Sequence, residues 1–177
     1  MTEGSPRRRS ERLAQTLAAM LDRLIPADAQ GPGAVDAGVL DYVMSRYAGP
    51  GHDEAGRYAR GLEHLDDLAR RRHGTGFAAS PAAAQDALLA ELEAEALALP
   101  EAQRASSFFE TVLRHAREGM FGDPVHGGNR GYAGWDLLGY PDARRVWTAR
   151  EQALDVVARP VLRLRPATPE PTEVGPR

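Results

Sequence analysis

The sequence predicts an all-α protein: a compact domain of about six helices with one long, ordered loop rich in glycine and aromatic residues. The 42% hydrophobic content is supplied mostly by Ala and Leu, which favour helices over strands. Apolar residues recur at helical spacing over most of the 177 residues, a length typical of one domain. We therefore expect a disordered basic N-terminus over 1–9, a single helical domain over 10–159 and a flexible Pro-rich tail over 160–177.

Three helices are predicted in the first half of the chain. The first begins at Ser10, a suitable N-cap, and is stopped by Pro26. The second spans about 36–47 and the third about 53–74, with glycine-rich turns between them. Their predicted inward stripes are Leu13, Leu17, Met20, Leu21 and Leu24; Val39, Leu40, Val43, Met44 and Tyr47; and Tyr58, Leu62, Leu65 and Leu68.

Three more helices are predicted in the second half. Ser80 followed by Pro81 indicates a helix start with a capping hydroxyl, and Pro100 ends that helix. A fifth helix is expected over about 103–118 and a last one over about 142–158. Their apolar faces carry Leu88, Leu89 and Leu92, with Leu97 as a further member; Phe109, Val112, Leu113, Ala116 and Met120; and Val146, Trp147, Leu154 and Val157.

Charge and composition exclude several classes of protein. The net charge of −3 does not suit a general nucleic-acid binder, and we interpret the short runs Arg7–Arg9 and Arg70–Arg72 as solvated surface. The absence of cysteine excludes disulfides and thiolate chemistry. No apolar run approaches the roughly 20 residues that a transmembrane helix needs, so no direct membrane span is expected.

The segment 121–141 has neither helical nor strand periodicity, yet its aromatic residues argue for order. Asp123 precedes Pro124 and is therefore expected in an extended or turn conformation. Gly127, Gly128 and Asn129 are three consecutive residues that tolerate positive φ. We expect the rings of Trp135 and Tyr140 to fix this loop on the helices.

The residues of the loop give little support to a nucleotide-binding, metal-binding or catalytic role. The glycines do not have dinucleotide-binding spacing and follow a helix rather than a strand. His126 near Asp123 permits an alternative hypothesis: a small stand-alone metal-binding protein or enzyme that uses these two side chains. The remaining histidines show no metal-ligand spacing, and no nucleophile–base pair is recognisable.

The same loop carries a resemblance to the gluconate 2-dehydrogenase subunit 3 family. The matching features, in order, are Phe108-Phe109, Gly119-Met120-Phe121-Gly122-Asp123-Pro124, His126-Gly127-Gly128-Asn129 and Gly134-Trp135-x-Leu137-Leu138-Gly139-Tyr140-Pro141. The N-terminal Leu24-Ile25-Pro26-Ala27-Asp28, Gly33-Ala34 and Val39-x-x-Tyr42-Val43 are also similar, as is Phe77 before Ser80-Pro81. His126 departs from the family pattern, which has an aromatic residue there.

The resemblance implies a non-catalytic accessory subunit with no cofactor or metal of its own. Its partner would be a large flavoprotein of the glucose-methanol-choline oxidoreductase type, which holds FAD and oxidises sugars, sugar acids or polyols. A cytochrome c subunit often accepts the electrons in such complexes. The residues expected to form the loop or contact the partner are Asp123, Pro124, His126, Gly127, Gly128, Asn129, Arg130 and Trp135, with Asn129 and Arg130 favoured for contact.

Family members frequently carry a twin-arginine export signal, and the sequence departs from that pattern. Arg7–Arg9 are followed by polar and charged residues instead of an uninterrupted apolar stretch. The sequence as written therefore predicts a cytoplasmic location. A periplasmic or membrane-associated location is expected if the partner supplies the export signal.

Overall fold

The computed structural model describes residues 6–140, 148–150 and 152–154, and every regular element in these residues is helical. The all-α prediction is confirmed. The elements are α1 Pro6–Leu24, α2 Val39–Val43, α3 Ala55–His73, α4 Ala82–Ala98, α5 Glu101–Arg104, α6 Phe108–Phe121 and α7 Ala133–Leu137. A π-helical turn, Met44–Ala48, continues α2, and single 3-10 turns occupy Phe77–Ala79, Pro124–His126 and Arg130–Tyr132.

Helix α1 begins at Pro6, so the predicted disorder is wrong for residues 6–9, and Ser10 lies inside the helix instead of capping it. Two ion pairs accompany the extension. Arg7 Nε lies 2.9 Å from Glu11 Oε1, one turn later on the same helix. Arg9 Nε lies 2.6 Å from Glu63 Oε1 and thereby ties the first turn of α1 to α3.

Two predicted helix starts are also corrected. Ser80 does not cap α4, because its hydroxyl donates to the Gly76 carbonyl at 3.1 Å and Pro81 is the N-cap residue. The predicted fifth helix divides into α5 and α6. The break is at Ser107, whose hydroxyl accepts a hydrogen bond from the Glu110 amide at 3.3 Å and caps α6.

The core is formed by the apolar faces of α1, α2, α3, α4 and α6, as the helical spacing predicts. Its fully buried side chains include Leu17, Met20, Leu21, Val39, Val43, Leu65, Phe77 and Val112. A buried carboxylate fixes the connection between α3 and α4. Asp66 accepts from the Phe77 amide at 2.9 Å and pairs with Arg70 at 2.6 Å.

The described residues fall into two compact units with the boundary between Gly134 and Trp135. The predicted domain over 10–159 thus corresponds to the first unit as far as Gly134, and its remainder stays a prediction. Within the predicted last helix, residues 148–150 and 152–154 lie in bends and turns. Leu154 is fully exposed there, so its predicted burial is wrong. Val146, Trp147, Val157 and the tail 160–177 lie outside the described residues.

Candidate functional site

The loop that follows α6 starts with a capped turn. The Asp123 carboxylate accepts a hydrogen bond from the Val125 amide at 3.0 Å, and Pro124 occupies the first position of the 3-10 turn. Gly127 ends this turn with φ of 99°, a conformation that favours glycine. The geometry reverses the chain direction and leaves His126 exposed at the turn.

Position 128 requires glycine because there is no space for a side chain, and not because of the backbone dihedral angles. Of the three consecutive residues that tolerate positive φ, Gly127 and Asn129 adopt it, whereas Gly128 does not. A Cβ atom on Gly128 would overlap the carbonyl group of Gly119 in α6. The adjacent Asn129 amide donates to that same carbonyl oxygen at 2.7 Å. The loop backbone therefore lies directly against the α6 backbone.

Asn129 is fully buried and adopts the left-handed conformation with φ of 46° and ψ of 41°. Its Nδ2 donates to the Gly122 carbonyl at 2.9 Å, and its Oδ1 accepts from the Gly134 amide at 2.8 Å. The side chain thus joins the two ends of the loop. Asn129 cannot present its amide to another protein in this conformation, and the prediction of a partner contact there is wrong.

Arg130 connects the loop to the start of α2. Its amide donates to the Ala37 carbonyl at 2.8 Å, and its guanidinium lies 2.8 Å from Asp41 Oδ2. The guanidinium also lies over Gly38, where a Cβ atom would come within 3.2 Å of it. The Arg130 side chain is 60% exposed, so it is accessible from outside.

The start of α7 makes a third close contact, with the backbone of α6. Gly134 is buried, and a Cβ atom there would overlap the Met120 carbonyl group. Gly119 makes a comparable contact on the opposite side of α6, where a Cβ atom would lie 2.9 Å from Tyr42 Cδ1. The outward face of the loop includes Asp123, Val125, His126, Gly127 and Arg130. Val125 is 77% exposed and gives this face an apolar side chain.

In the second unit, Trp135 is half-buried and its ring lies 4.9 Å from the ring of Tyr140, measured between centroids. The Tyr140 amide donates to the Trp135 carbonyl at 2.8 Å. Gly139 has φ of 63°, which permits the tight turn between the two rings. Leu137 and Leu138 are exposed beside them.

A second polar cluster, which sequence analysis missed, is buried among α2, α3 and α6. His115 Nδ1 and the Tyr58 hydroxyl share a hydrogen bond of 2.8 Å, and the Tyr47 ring stacks on His115 with centroids 3.6 Å apart. Glu118 accepts from the Tyr47 hydroxyl at 2.9 Å and from Tyr42 at 3.5 Å. The sequence feature that could have revealed this cluster is His115, a polar residue on the apolar face of α6 beside Val112 and Ala116.

Burial determines the electrostatics of this cluster. It lowers the pKa of His115 and raises the pKa of both Tyr47 and Tyr58. Neutral forms are therefore favoured for the imidazole and for both phenols. The cluster resembles a satisfied polar network that orients helices rather than a reactive centre.

The same interpretation applies to the polar side chains of the loop. The Asp123 carboxylate already accepts a backbone hydrogen bond. Within the described part of the chain, no group of three or more His, Asp or Glu side chains is placed to hold a metal ion. None of the helices among the described residues has the length and apolar character that a membrane span requires.

Taken together, these elements define a small all-α protein in which a glycine-rich loop is packed on the helices by direct backbone contacts. No curated protein sequence and no solved structure matches this chain. A family model does match it, over residues 11–141, which includes most of α1, all of α2 to α7 and the whole loop. The chain belongs to the gluconate 2-dehydrogenase subunit 3 family.

Proposed function

We propose that this chain is a non-catalytic subunit that binds and stabilises an FAD-dependent flavoprotein of the glucose-methanol-choline type. The substrates of that flavoprotein would be sugars, sugar acids or polyols, and a cytochrome c subunit would accept its electrons. The supporting observation is the family match over 11–141, a family named for a subunit of a dehydrogenase. FAD would be held by the large subunit and not by this chain.

The loop is the part of the chain best suited to a specific contact. Backbone hydrogen bonds and the Asn129 amide fix its conformation before binding, so little conformational entropy is lost when a partner docks. Its outward face combines the apolar Val125 with the polar Asp123, His126 and Arg130. Such a mixture is typical of a subunit interface with an apolar centre and a polar rim.

Roles for the predicted site residues follow from this geometry. Gly127 and Gly128 give the loop its backbone shape, and Asn129 joins its ends. Asp123, His126 and Arg130 contact the flavoprotein directly. Pro124 starts the turn that positions them, and Trp135 serves to fold its own segment.

Co-expression of the tagged chain with the genes that neighbour its own tests the proposal. The tagged chain should retain the larger protein in a one-to-one ratio, and the eluate should show flavin absorbance and reduce an artificial electron acceptor on addition of a sugar or polyol. Tagged flavoprotein expressed without this chain should be less soluble. A colourless, partner-free and well-folded monomer would contradict the proposal, and stoichiometric metal in that monomer would favour a role for Asp123 and His126.

A further inference from the structure

A groove of about 440 Å³ opens on the surface of the first unit between α3, α4 and the start of α6. Its floor is apolar: Leu92, Ala96 and Phe109 are buried at the bottom, and Leu99 and Phe108 are half-buried at the sides. Gly61 contributes to the floor by its lack of a side chain, since a Cβ atom there would overlap the Phe108 ring. The groove is separate from the glycine-rich loop.

The edge of the groove on α3 is basic. Arg57, Arg60 and His64 line it, whereas Glu95 is the acidic residue on the α4 side. Elsewhere on α3, Arg70 is held 2.6 Å from the Asp66 carboxylate. Arg57 has its nearest carboxylate, that of Glu54, at 3.9 Å, and no ion pair of Arg60 is found among the described residues. The Arg60 guanidinium is therefore available to a carboxylate of another molecule, whereas Arg57 would bind one in addition to its long ion pair with Glu54.

The shape of the groove favours a protein segment over a small molecule. Sites for small ligands enclose most of the ligand surface, whereas this groove is broadly open to solvent. Open apolar grooves between helices commonly receive the apolar side chains of an amphipathic segment. Paired arginines beside such a groove select segments with carboxylates next to their apolar residues, because Arg and carboxylate groups form bidentate hydrogen bonds.

We infer that this groove is a second docking surface for the flavoprotein subunit, and that it receives a segment bearing apolar side chains flanked by Asp or Glu. The inference rests on the proposed function and adds a surface outside the loop. The apolar side chains would cover Leu99 and Phe108. The carboxylates would pair with Arg57 and Arg60.

Charge reversal of the basic edge tests the inference in the co-expressed complex. The double variant Arg57→Glu/Arg60→Glu should bind the flavoprotein about tenfold more weakly or worse, because like charges would then face each other across the interface. Leu99→Asp should weaken binding similarly by placing a charge in the apolar contact. All three positions are at least partly exposed, so helix content by circular dichroism should stay at the wild-type level.

A matched control is Arg8→Glu/Arg71→Glu, which makes the same charge change at exposed positions outside the groove. The control should retain the flavoprotein as the wild type does. Retention of the flavoprotein by the double groove variant would overturn the inference while leaving the proposed function intact. A dimer of the chain alone that Leu99→Asp dissociates would also overturn it, in favour of self-association. Failure of the wild-type chain to retain the flavoprotein would overturn both.

Discussion

The helical core and the glycine-rich loop are stabilised in different ways. In the core, side chains such as Leu17, Leu65 and Val112 are completely buried against other apolar side chains. In the loop, the closest contacts join backbone to backbone, with Gly128 against Gly119 and Gly134 against Met120. The packing of the core therefore depends on the volume of its side chains. The packing of the loop requires glycine positions that have no side chain.

This difference has consequences for tolerance to substitution. Apolar cores accept exchanges that conserve volume, because neighbouring rotamers adjust. The Gly119 carbonyl lies in the last turn of α6 and accepts the Asn129 amide, so it cannot move aside without losing that hydrogen bond. We therefore expect the core to respond to substitutions in proportion to the volume removed and the loop to respond to any atom added at Gly128 or Gly134.

The largest expected effect is on the core. Leu65→Ala should lower the free energy of unfolding by about 2–5 kcal/mol, because it removes buried methyl groups and leaves a cavity. Leu65→Met, which nearly conserves volume, should cost less than about 1.5 kcal/mol. Urea unfolding followed by circular dichroism measures both. Equal losses for the two variants would show that the core is no more tolerant of shape than the loop.

The next largest effect is expected at Gly128. The Gly128→Val side chain cannot fit beside the Gly119 carbonyl, and the resulting displacement should cost about 3 kcal/mol. The variant should keep near-normal helix content in the isolated subunit and lose pairing with the flavoprotein. Circular dichroism and a pull-down measure these two properties.

Gly127→Ala is the matched control for Gly128→Val. Gly127 has open space around its Cα, so the only penalty is the positive φ, about 1–2 kcal/mol. The two neighbouring glycines thus separate crowding from dihedral strain. A larger loss for Gly127→Ala than for Gly128→Val would contradict the assignment of close packing to Gly128.

Gly127 and Gly128 also show how much of this structure could be predicted from the sequence. Helices were predictable because their apolar period is local, and the family resemblance identified the loop as its informative segment. The reason for Gly128 was not predictable, since the Gly119 carbonyl that crowds it lies on the preceding helix. Likewise, polarity suggested that Asn129 faces a partner, but its hydrogen bonds to Gly122 and Gly134 form only after the loop folds back.

An effect of similar size to that of Gly128→Val is expected at Asn129. Asn129→Ala should cost about 1 kcal/mol for each of the two hydrogen bonds that it removes, besides the strain of a left-handed alanine. Asn129→Gly removes the same hydrogen bonds without that strain. The difference in unfolding free energy between the two variants measures the dihedral contribution. Wild-type stability in both would show that the side-chain amide does not hold the loop.

The smallest expected effect concerns pH and arises in the helical core, at the buried His115. Burial against Tyr47 and Tyr58 lowers the pKa of His115 in the folded protein, against the opposing charge of Glu118, whereas the unfolded chain has the ordinary value of about 6.5. Between these two pKa values the unfolded chain binds more protons. Stability should therefore decrease as the pH falls below about 6.5 and level off below the folded pKa.

Urea midpoints measured between neutral pH and pH values below the ordinary histidine pKa test this dependence. His115→Gln should flatten the slope, although it will also lower stability at every pH by disrupting the bond to Tyr58. An unchanged slope in His115→Gln would show that other groups carry the pH dependence, and the buried cluster would then contribute packing alone.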